Sequence, residues 1–260
     1  MNYKILTLFA FILICFFLSN RLTKKDNVRS FNGQEVIIVE SKRLAQDDKE
    51  NDIIVSHWNE DKFNLIKREA ESGDIGAQST LGYLYLTGEF VNENYSKAEY
   101  WLKKASEKGA PEAQFNLAYL YKKQNKIDES IKWYRKSAEI NHSEAQLNLA
   151  LLLGEKEQFD INEIVKLLEK SIQNGNKKAY YPLAYWYLNN LNLNKEKEGL
   201  ELLKIAVENQ DPDAEFTLAE LYETGDLVEE NLEKSKALYY KAKDHGSLEA
   251  IERLKQDKFK

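Results

Sequence analysis

The chain has 260 residues, of which 43% are hydrophobic, so it can bury a sizeable core in one elongated domain or in two compact ones. Only 3 prolines and 11 glycines interrupt it. The formal net charge is -6, with acidic and basic residues interleaved. This charge balance argues against nucleic acid as a partner, because nucleic-acid binding needs a clustered basic face.

Residues 5 to 18 form an apolar run, "ILTLFAFILICFFL", in which Thr7 is the only polar residue. The run has the length of a signal-peptide core and is shorter than the roughly 20 residues that span a bilayer. We therefore predict that residues 1–20 are a signal peptide or an uncleaved signal anchor of an exported protein, which is periplasmic or anchored in the inner membrane facing the periplasm. Cleavage stays open because Phe17 is bulky where a small residue is preferred, and orientation stays open because more positive charge follows the run than precedes it.

Cys15 is the only cysteine, and it lies inside this apolar run. A lipid-modified cysteine normally follows a small residue, whereas Ile14 precedes Cys15, so we interpret Cys15 as a plain hydrophobic residue. The rest of the chain then has no thiol for a disulfide or for a cysteine-ligated metal.

Residues 21–60 are polar and contain two β-type runs, "EVIIVE" at Glu35 to Glu40 and "DIIVSHW" at Asp52 to Trp58. We predict that this region is a linker with local strand character.

A helical repeat is predicted for residues 61–260. It is marked by a column of alanines spaced by 36, 32, 34, 35 and 36 residues: Ala77, Ala113, Ala145, Ala179, Ala214 and Ala250. Four places before each alanine stands Gly73, Gly109, Asn141, Gly175, Gln210 or Gly246. Most of these residues accept a left-handed backbone, so the spacing indicates a helix end, a short turn and a new helix in every unit.

Two further columns of small residues indicate how the helices pack. The first follows a leucine and contains Gly82, Ala118, Ala150, Ala184 and Ala219, and the second contains Ala105, Ser137, Ser171, Ala206 and Ala242. Small residues at fixed places let paired helices approach closely while large ones fill the gaps. Each unit is therefore predicted to be a helical hairpin of about 35 residues that stacks on the next, as in an α-solenoid.

Two segments resemble the Sel-one-like repeat, which is related to the tetratricopeptide repeat: "LGYLYLTGEFVNENYSKAEYWLKKASEKG" (Leu81 to Gly109) and "LAELYETGDLVEENLEKSKALYYKAKDHG" (Leu218 to Gly246). The three units between them lack the Gly-x-x-Val connector and are similar to generic tetratricopeptide units. The resemblance implies an all-α, right-handed α-solenoid of about five hairpins, with a leading half-hairpin at Asp61 to Ser72 and a C-terminal helix beginning near Ser247. It also implies a scaffold that binds other proteins.

Two features depart from this family. The chain cannot form the disulfides that cysteine-rich members use, so packing alone must stabilise its hairpins. Pro182 stands six places into the first helix predicted for the fourth unit, and it would remove a backbone hydrogen bond unless that helix begins late or kinks.

A helical wheel separates two faces of each first helix. Leu81, Leu84 and Tyr85 point to the core, whereas Tyr83 lies on another face. By resemblance this second face lines a concave groove, and its aromatic residues are the candidate partner-binding site: Tyr83, Phe115, Tyr119, Tyr181, Tyr185 and Phe216. The alternative is that these rings pack on the neighbouring hairpin. Acidic residues near the rim could favour a basic partner: Glu112, Glu144, Asp213, Glu215, Glu220 and Glu223.

The sequence contains no recognisable catalytic motif. His57, His142 and His245 are far apart, and none belongs to an H-E-x-x-H or nucleophile pattern. In "HWNED", residues 57 to 61, Asn59 and Asp61 are interpreted as caps of the next helix, not as metal ligands. We therefore predict no enzyme activity, no catalytic residue, no cofactor and no metal.

The sequence thus favours a non-enzymatic protein–protein interaction scaffold of the bacterial cell envelope, which binds a protein or peptide segment in its groove and meets the membrane only through the N-terminal segment. One alternative, implied by resemblance to some exported relatives, is a periplasmic immunity protein that neutralises a secreted toxin such as a phospholipase. A second is a hydrolase, an activity proposed for some family members, which no residue constellation of this chain supports.

Overall fold

The computed structural model describes residues 28–31, 34–37 and 58–255. Strands β1 (Val28–Phe31) and β2 (Gln34–Ile37) pair antiparallel, with Val28 opposite Ile37. Strand β2 overlaps the first predicted β-type run, whereas strand β1 lies outside both runs. The predicted signal segment with Cys15, residues 52–57 of the second run with His57, and residues 256–260 lie outside the described residues.

Residues 58–255 form twelve α-helices and two short 3₁₀ helices. The α-helices are α1 (Glu60–Ser72), α2 (Ile75–Thr87), α3 (Tyr95–Glu107), α4 (Pro111–Lys123), α5 (Ile127–Glu139), α6 (Ser143–Gly154), α7 (Ile161–Gln173), α8 (Tyr180–Asn189), α9 (Glu196–Glu208), α10 (Pro212–Thr224), α11 (Leu232–Asp244) and α12 (Leu248–Arg253). The 3₁₀ helices are Lys177–Ala179 and Leu191–Leu193. The all-α hairpin repeat is thereby confirmed, with α1 as the leading half-hairpin and α12 as the C-terminal helix.

The helix ends follow the predicted punctuation. The Asn59 side chain accepts a hydrogen bond from the Lys62 amide at the start of α1, and Gly73 ends that helix with a φ of 103°. Where the sequence has no glycine, Asn141 and Gln210 adopt the left-handed backbone at φ values of 65° and 62°. Glycine adopts the left-handed backbone without a steric cost, and asparagine adopts it at a modest one. The helix ends are therefore local features that the sequence encodes.

The contacts divide the chain into two units, with the boundary inside α5 between Ser130 and Ile131. In the first unit, α2 packs against α1 and α3, and α3 packs against α4. Its core includes Ala70, Ala77 and Leu81, which contact the half-buried side chains of Phe63, Ile66, Tyr85 and Trp101.

The second unit contains the later hairpins. Helices α6 and α7, α8 and α9, and α10 and α11 pack as pairs in sequence order, and α12 packs on α11. The last core cluster contains Ala219, Tyr239, Ala242 and Ala250, against which Phe216, Leu238 and Leu254 pack.

Both predicted columns of small residues are buried, which confirms their role in helix packing. One serine hydroxyl group of the second column also forms a hydrogen bond between helices. Ser171 Oγ donates to the Ser143 carbonyl at 2.7 Å and so joins α7 to the start of α6. The buried Ser171 hydroxyl is therefore satisfied by a backbone carbonyl.

A glutamine directly after the repeat alanine forms a contact that the sequence pattern does not reveal. Gln78, Gln114 and Gln146 each donate from Nε2 to the carbonyl oxygen eight residues earlier, on Ala70, Ser106 and Ala138, at 3.0, 3.2 and 3.1 Å. Each bond ties a first helix to the end of the helix before it. Because all three side chains are buried, these bonds restrict the turn between successive hairpins.

Pro182 lies in the first turn of α8, after the 3₁₀ helix Lys177–Ala179. The helix therefore begins late, which is one of the two solutions that the sequence allows. In the first turn the amide that proline lacks has no intrahelical acceptor, so the residue costs no helix hydrogen bond there.

Tyr121, Tyr187 and Tyr222 stand at the place of Tyr85 in later units, and all four side chains are buried or half-buried. A lysine ammonium lies over each of the four rings, with distances to the ring centre between 4.4 and 5.5 Å. The pairs are Lys97 with Tyr85, Lys126 with Tyr121, Lys195 with Tyr187 and Lys234 with Tyr222. The repeated cation–π contact supports an architectural role for this column.

Candidate protein-binding surface

The Tyr119 phenol lies within electrostatic reach of Tyr83 and of Tyr95, and all three side chains are half-buried in the first unit. We call Tyr83, Tyr95 and Tyr119 the tyrosine cluster. Tyr83 lies on α2 and Tyr119 on α4, whereas Tyr95 is the first residue of α3. Leu81 and Leu84, on the other face of α2, are fully buried. The helix therefore turns its leucines inward and leaves the Tyr83 ring partly accessible, as the helical wheel predicted.

Two carboxylates accompany the cluster. The Tyr83 hydroxyl donates to Glu89 Oε1 at 2.6 Å. Burial raises the pKa of Tyr83, and the bond to Glu89 and the nearby Tyr119 raise it further. The pKa of Tyr95 is also raised, first by burial, then by Glu93 and Tyr119. Tyr119 therefore lies within electrostatic reach of both other phenols, and Tyr83 and Tyr95 stay protonated at neutral pH.

One carboxylate oxygen of Glu89 accepts the hydrogen bond from Tyr83, and the other is buried. Its Oε2 atom is shielded from solvent and accepts no hydrogen bond from the part of the chain that the structure describes. A shielded carboxylate oxygen is costly unless a donor reaches it. Glu89 therefore holds the Tyr83 hydroxyl inside the fold, and the tyrosine rings are the part of the cluster that stays partly exposed.

The other residues that were predicted to line the groove differ in how much of each side chain is exposed. Phe115 and Tyr185 are half-buried, and Tyr185 makes an edge contact with Trp186 at 6.3 Å between ring centres. Tyr181 is only 2% exposed, and its hydroxyl lies 3.1 Å from Thr217 Oγ1 on α10. Its ring is enclosed by protein and offers no face to a partner, so we leave Tyr181 out of the candidate surface.

Phe216 belongs to a separate depression in the second unit, which we call the terminal groove. Its volume is about 440 Å³, and it lies between α10 and α12. The lining residues are Phe216, Glu220, Leu248, Glu249, Glu252 and Arg253. The Phe216 ring packs on Tyr239 at 5.4 Å between ring centres, so the apolar floor is supported from below.

The expected acidic rim needs a correction. Glu215 and Glu223 are buried, so they do not stand at a rim. Glu215 Oε2 lies 2.7 Å from His245 Nδ1, and Glu223 accepts hydrogen bonds from Tyr239 and from Arg253. Their charges are used inside the fold, whereas Glu112, Glu144 and Glu220 are exposed and Asp213 is half-exposed.

Sequence reasoning missed several residues of both surfaces. Glu89 and Tyr95 lie in or beside the connector of the first hairpin, and Leu248 and Arg253 lie on α12. A wheel of the first helices of the repeat does not place connector residues. The sequence signal for the terminal groove was an apolar residue, Leu248, directly after the N-cap Ser247.

Residues 58–255 contain no group of three histidine, cysteine or acidic side chains placed to hold a metal ion. The two histidines in this range have structural contacts: His142 Nδ1 accepts from the Ala145 amide at the start of α6, and His245 contacts Glu215. Within the described residues, no helix is both long enough and apolar enough to cross a bilayer.

Comparison with known protein families decides the classification. The Sel1 repeat model matches residues 76–109, 111–142, 143–176, 177–211 and 212–247, which is more than half of the chain. The chain belongs to the Sel1 repeat family. The five matched segments coincide with the five hairpins from α2 to α11, so the three middle units are Sel1 repeats as well.

Individual relatives agree with this assignment. The sel1-like repeat-containing protein L21 of Acanthamoeba polyphaga mimivirus is 31% identical over 67 residues, which are 26% of this chain and 13% of that protein. The chain thus spans only a small part of that relative.

Two solved structures share the fold. The Sel1 repeat protein from Oxalobacter formigenes has a TM-score of 0.64 and 25% identity, and the match covers 75% of this chain and 87% of that one. The protein c5321, a protective antigen present in uropathogenic Escherichia coli strains, has a TM-score of 0.64 and 28% identity, covering 74% and 43% of the two chains. These likenesses confirm the α-solenoid class.

Sel1 repeat proteins serve as protein-interaction scaffolds, and the family is generally non-catalytic. For this chain, the family therefore makes another protein the expected kind of partner.

Proposed function

We propose that this chain is a non-enzymatic protein-interaction scaffold of the bacterial cell envelope, and that it binds a segment of another protein at the tyrosine cluster. The observation that carries the proposal is the set of three half-buried tyrosines on α2, α3 and α4, with the Tyr83 hydroxyl held in place by Glu89. Membership of a family of protein-binding scaffolds supports it.

Tyrosine suits such a surface for physical reasons. Its ring removes much apolar area from water on contact and loses little rotamer freedom, and its hydroxyl can still bond to a partner's backbone. Tyr83 and Tyr95 are neutral, so their burial under a partner carries no charge-desolvation cost.

The envelope location rests on the N-terminal apolar run, residues 5 to 18, and on the export that it predicts. A C-terminal tag on the full chain tests it. In spheroplasts, added protease should remove the tag while a cytoplasmic marker stays intact. Protection of the tag until the cells are lysed would refute the envelope location and leave the binding role untouched.

The binding role is tested by affinity capture. The full chain in mild detergent is used as bait in an envelope extract from its own host, beside Tyr119→Ala and a matched control, Tyr100→Ala. Tyr100 is a tyrosine of the same unit, 52% exposed on α3 and outside the cluster. We expect the captured protein to be lost with Tyr119→Ala and kept with Tyr100→Ala, at similar thermal stability of both variants.

Equal capture by the wild type and Tyr119→Ala would show that the tyrosine cluster is not the binding surface. The captured protein also bears on the alternative role. Capture of a secreted toxin whose activity falls on binding would identify an immunity protein, whereas capture of an envelope complex would identify a scaffold.

A further inference from the structure

We propose that the terminal groove is a second binding site, which takes a partner segment carrying a lysine or arginine beside an apolar side chain. The proposal rests on the proposed scaffold function but uses a different surface, so each can fail without the other. Its basis is an apolar floor, a surplus of carboxylates around it and a volume of about 440 Å³. That volume falls within the range of about 300 to 1,000 Å³ that is usual for ligand pockets.

The floor is apolar and partly uncovered. Leu248, the first residue of α12, is 59% exposed, the highest exposure among the large hydrophobic side chains described for this chain. Phe216 on α10 is half-buried and is held in place by Tyr239. Covering these two side chains would remove apolar area from water, which gives a partner segment a hydrophobic anchor.

The surrounding charge is negative. Three carboxylates line the groove, those of Glu220, Glu249 and Glu252. Glu252 pairs with Lys255 at 2.7 Å in an exposed ion pair, and Glu249 accepts a hydrogen bond from the uncharged Ser247 hydroxyl at 3.1 Å. Among the described residues, no side chain forms an ion pair with Glu220 or Glu249.

Arg253 is the one cationic side chain among the residues that line the groove, and it is paired with the Glu223 carboxylate. Arg253 donates from Nε and from Nη2 to the two oxygens of Glu223, at 3.0 and 2.6 Å. The Glu223 side chain is only 3% exposed and the Arg253 side chain is 28% exposed, so the carboxylate is buried while the guanidinium reaches the groove. Burial raises the pKa of Glu220, and the nearby Arg253 charge lowers it, so Glu220 is partly compensated. The lining nevertheless has three carboxylates and one guanidinium, and this surplus of negative charge complements a cationic side chain.

An acidic or purely apolar segment fits this site less well. A second carboxylate would meet like charge at Glu220 and Glu249, and a segment without charge would leave both carboxylates partly desolvated. A lysine or arginine can place its alkyl stem along Phe216 or Leu248 and its charged head near the carboxylates. Long cationic side chains combine an apolar stem with a charged head in this way.

The chain itself contains a competing segment. After Lys255 the sequence continues through Lys258, Phe259 and Lys260, which has the same cationic and aromatic chemistry. These residues lie outside the described structure, so the test must include a variant that ends at Lys255.

The test uses the full chain in mild detergent and a fluorescently labelled hexapeptide, GKFKLG, with GEFELG as the matched acidic control. We expect the basic peptide to bind and the acidic one not to bind. Glu220→Gln with Glu249→Gln should weaken binding by at least about fivefold, and salt should weaken wild-type binding. Leu248→Ser should also weaken it, whereas Glu233→Gln, an exposed acid on α11 outside the groove, should not.

Equal binding of the two peptides, or unchanged affinity in the double glutamine variant, would overturn the proposal. Truncation after Lys255 should leave the affinity unchanged. An increase of about tenfold or more would show that the chain's own terminal residues occupy the groove, and this too would overturn the assignment to a partner. Tyr119→Ala should not alter peptide binding. Loss of capture by that variant therefore tests the tyrosine cluster, and peptide binding tests the terminal groove separately.

Discussion

Gly82 of α2 lies directly against Leu102 of α3. A Cβ atom on Gly82 would stand 2.6 Å from Leu102 Cγ and 3.0 Å from the Leu102 backbone nitrogen. The equivalent places in the other four hairpins are alanines: Ala118, Ala150, Ala184 and Ala219. The first hairpin is therefore packed more closely at this point than an alanine would allow.

The Gly82→Ala variant is predicted to destabilise the protein, although alanine favours a helix more than glycine does. The added methyl group must displace Leu102, a fully buried side chain, which should cost about 1 to 3 kcal/mol. Chemical denaturation measures this cost. Gly76→Ala on the same helix is the control, since its Cβ would meet only the Asp74 side-chain oxygen, at 3.3 Å. A loss of stability that is no larger for Gly82→Ala than for the control would contradict the packing argument.

The buried glutamines should differ in their contributions. Gln146 uses both ends of its amide, because it also accepts from Asn174 Nδ2 at 2.9 Å, whereas the Oε1 atom of Gln114 has no donor among the described residues. Gln146→Leu should therefore lower the free energy of unfolding by about 1 kcal/mol more than Gln114→Leu.

The two glutamine variants serve as controls for each other, because the same side chain is replaced by the same apolar one. The comparison uses urea denaturation of both variants under identical conditions. If Gln114→Leu lowers the free energy of unfolding more than Gln146→Leu does, the additional hydrogen bond of Gln146 does not decide the difference.

The Arg253–Glu223 pair should be essential for the last hairpin. Arg253→Met removes the cationic partner of the buried Glu223 carboxylate, which still accepts from the Tyr239 hydroxyl at 2.6 Å, and we expect a loss of about 3 kcal/mol. Arg253→Lys should recover only part of it, because a lysine cannot make the bidentate contact.

Replacing Glu223 by glutamine in the Arg253→Met background should restore some stability, since the buried charge that lost Arg253 is then gone. Lys255→Ala is the matched surface control and should change stability by less than about 0.5 kcal/mol, because its pair with Glu252 is exposed. Equal effects of Arg253→Met and Lys255→Ala would refute the buried-pair argument.

Asp211 should make stability depend on pH. It caps α10 by accepting from the Asp213 and Ala214 amides, yet burial and the neighbouring Asp213 charge raise its pKa from 3.8 to about 7. Between these values the folded protein binds more protons at Asp211 than the unfolded chain does. The contribution of Asp211 to the free energy of unfolding therefore falls as the pH rises from about 4 to about 7.

Asp211→Asn keeps a capping side chain and removes the charge. The variant should be more stable than the wild type at pH 8, by about 1 kcal/mol or more, and the difference should shrink towards pH 4. Thermal melts across this range measure the effect. Asp160→Asn, at the cap of α7, is the control. A wild-type advantage at pH 8 would show that the Asp211 charge is favourable to folding.

The hairpin architecture was predictable because its signals are local. Helix ends depend on residues within one turn, such as Asn59 and Gly73, and the repeat of about 35 residues follows from the spacing of small side chains. The family resemblance, first recognised in two units, extends to all five. The sequence left open whether the helix that contains Pro182 begins late or kinks, and the structure shows that α8 begins at Tyr180.

The tertiary structure decided which side chains of one helical face remain accessible. Tyr83 and Tyr181 were both placed on the predicted groove face, yet Tyr83 is half-buried and Tyr181 is enclosed beside Thr217. Likewise, Glu223 pairs with Arg253 in the interior, while Glu220, one turn earlier, stays exposed in the terminal groove. A helical wheel gives the direction of a side chain on its own helix. Whether that direction ends in solvent or protein depends on the neighbouring helix, which only the packed structure positions.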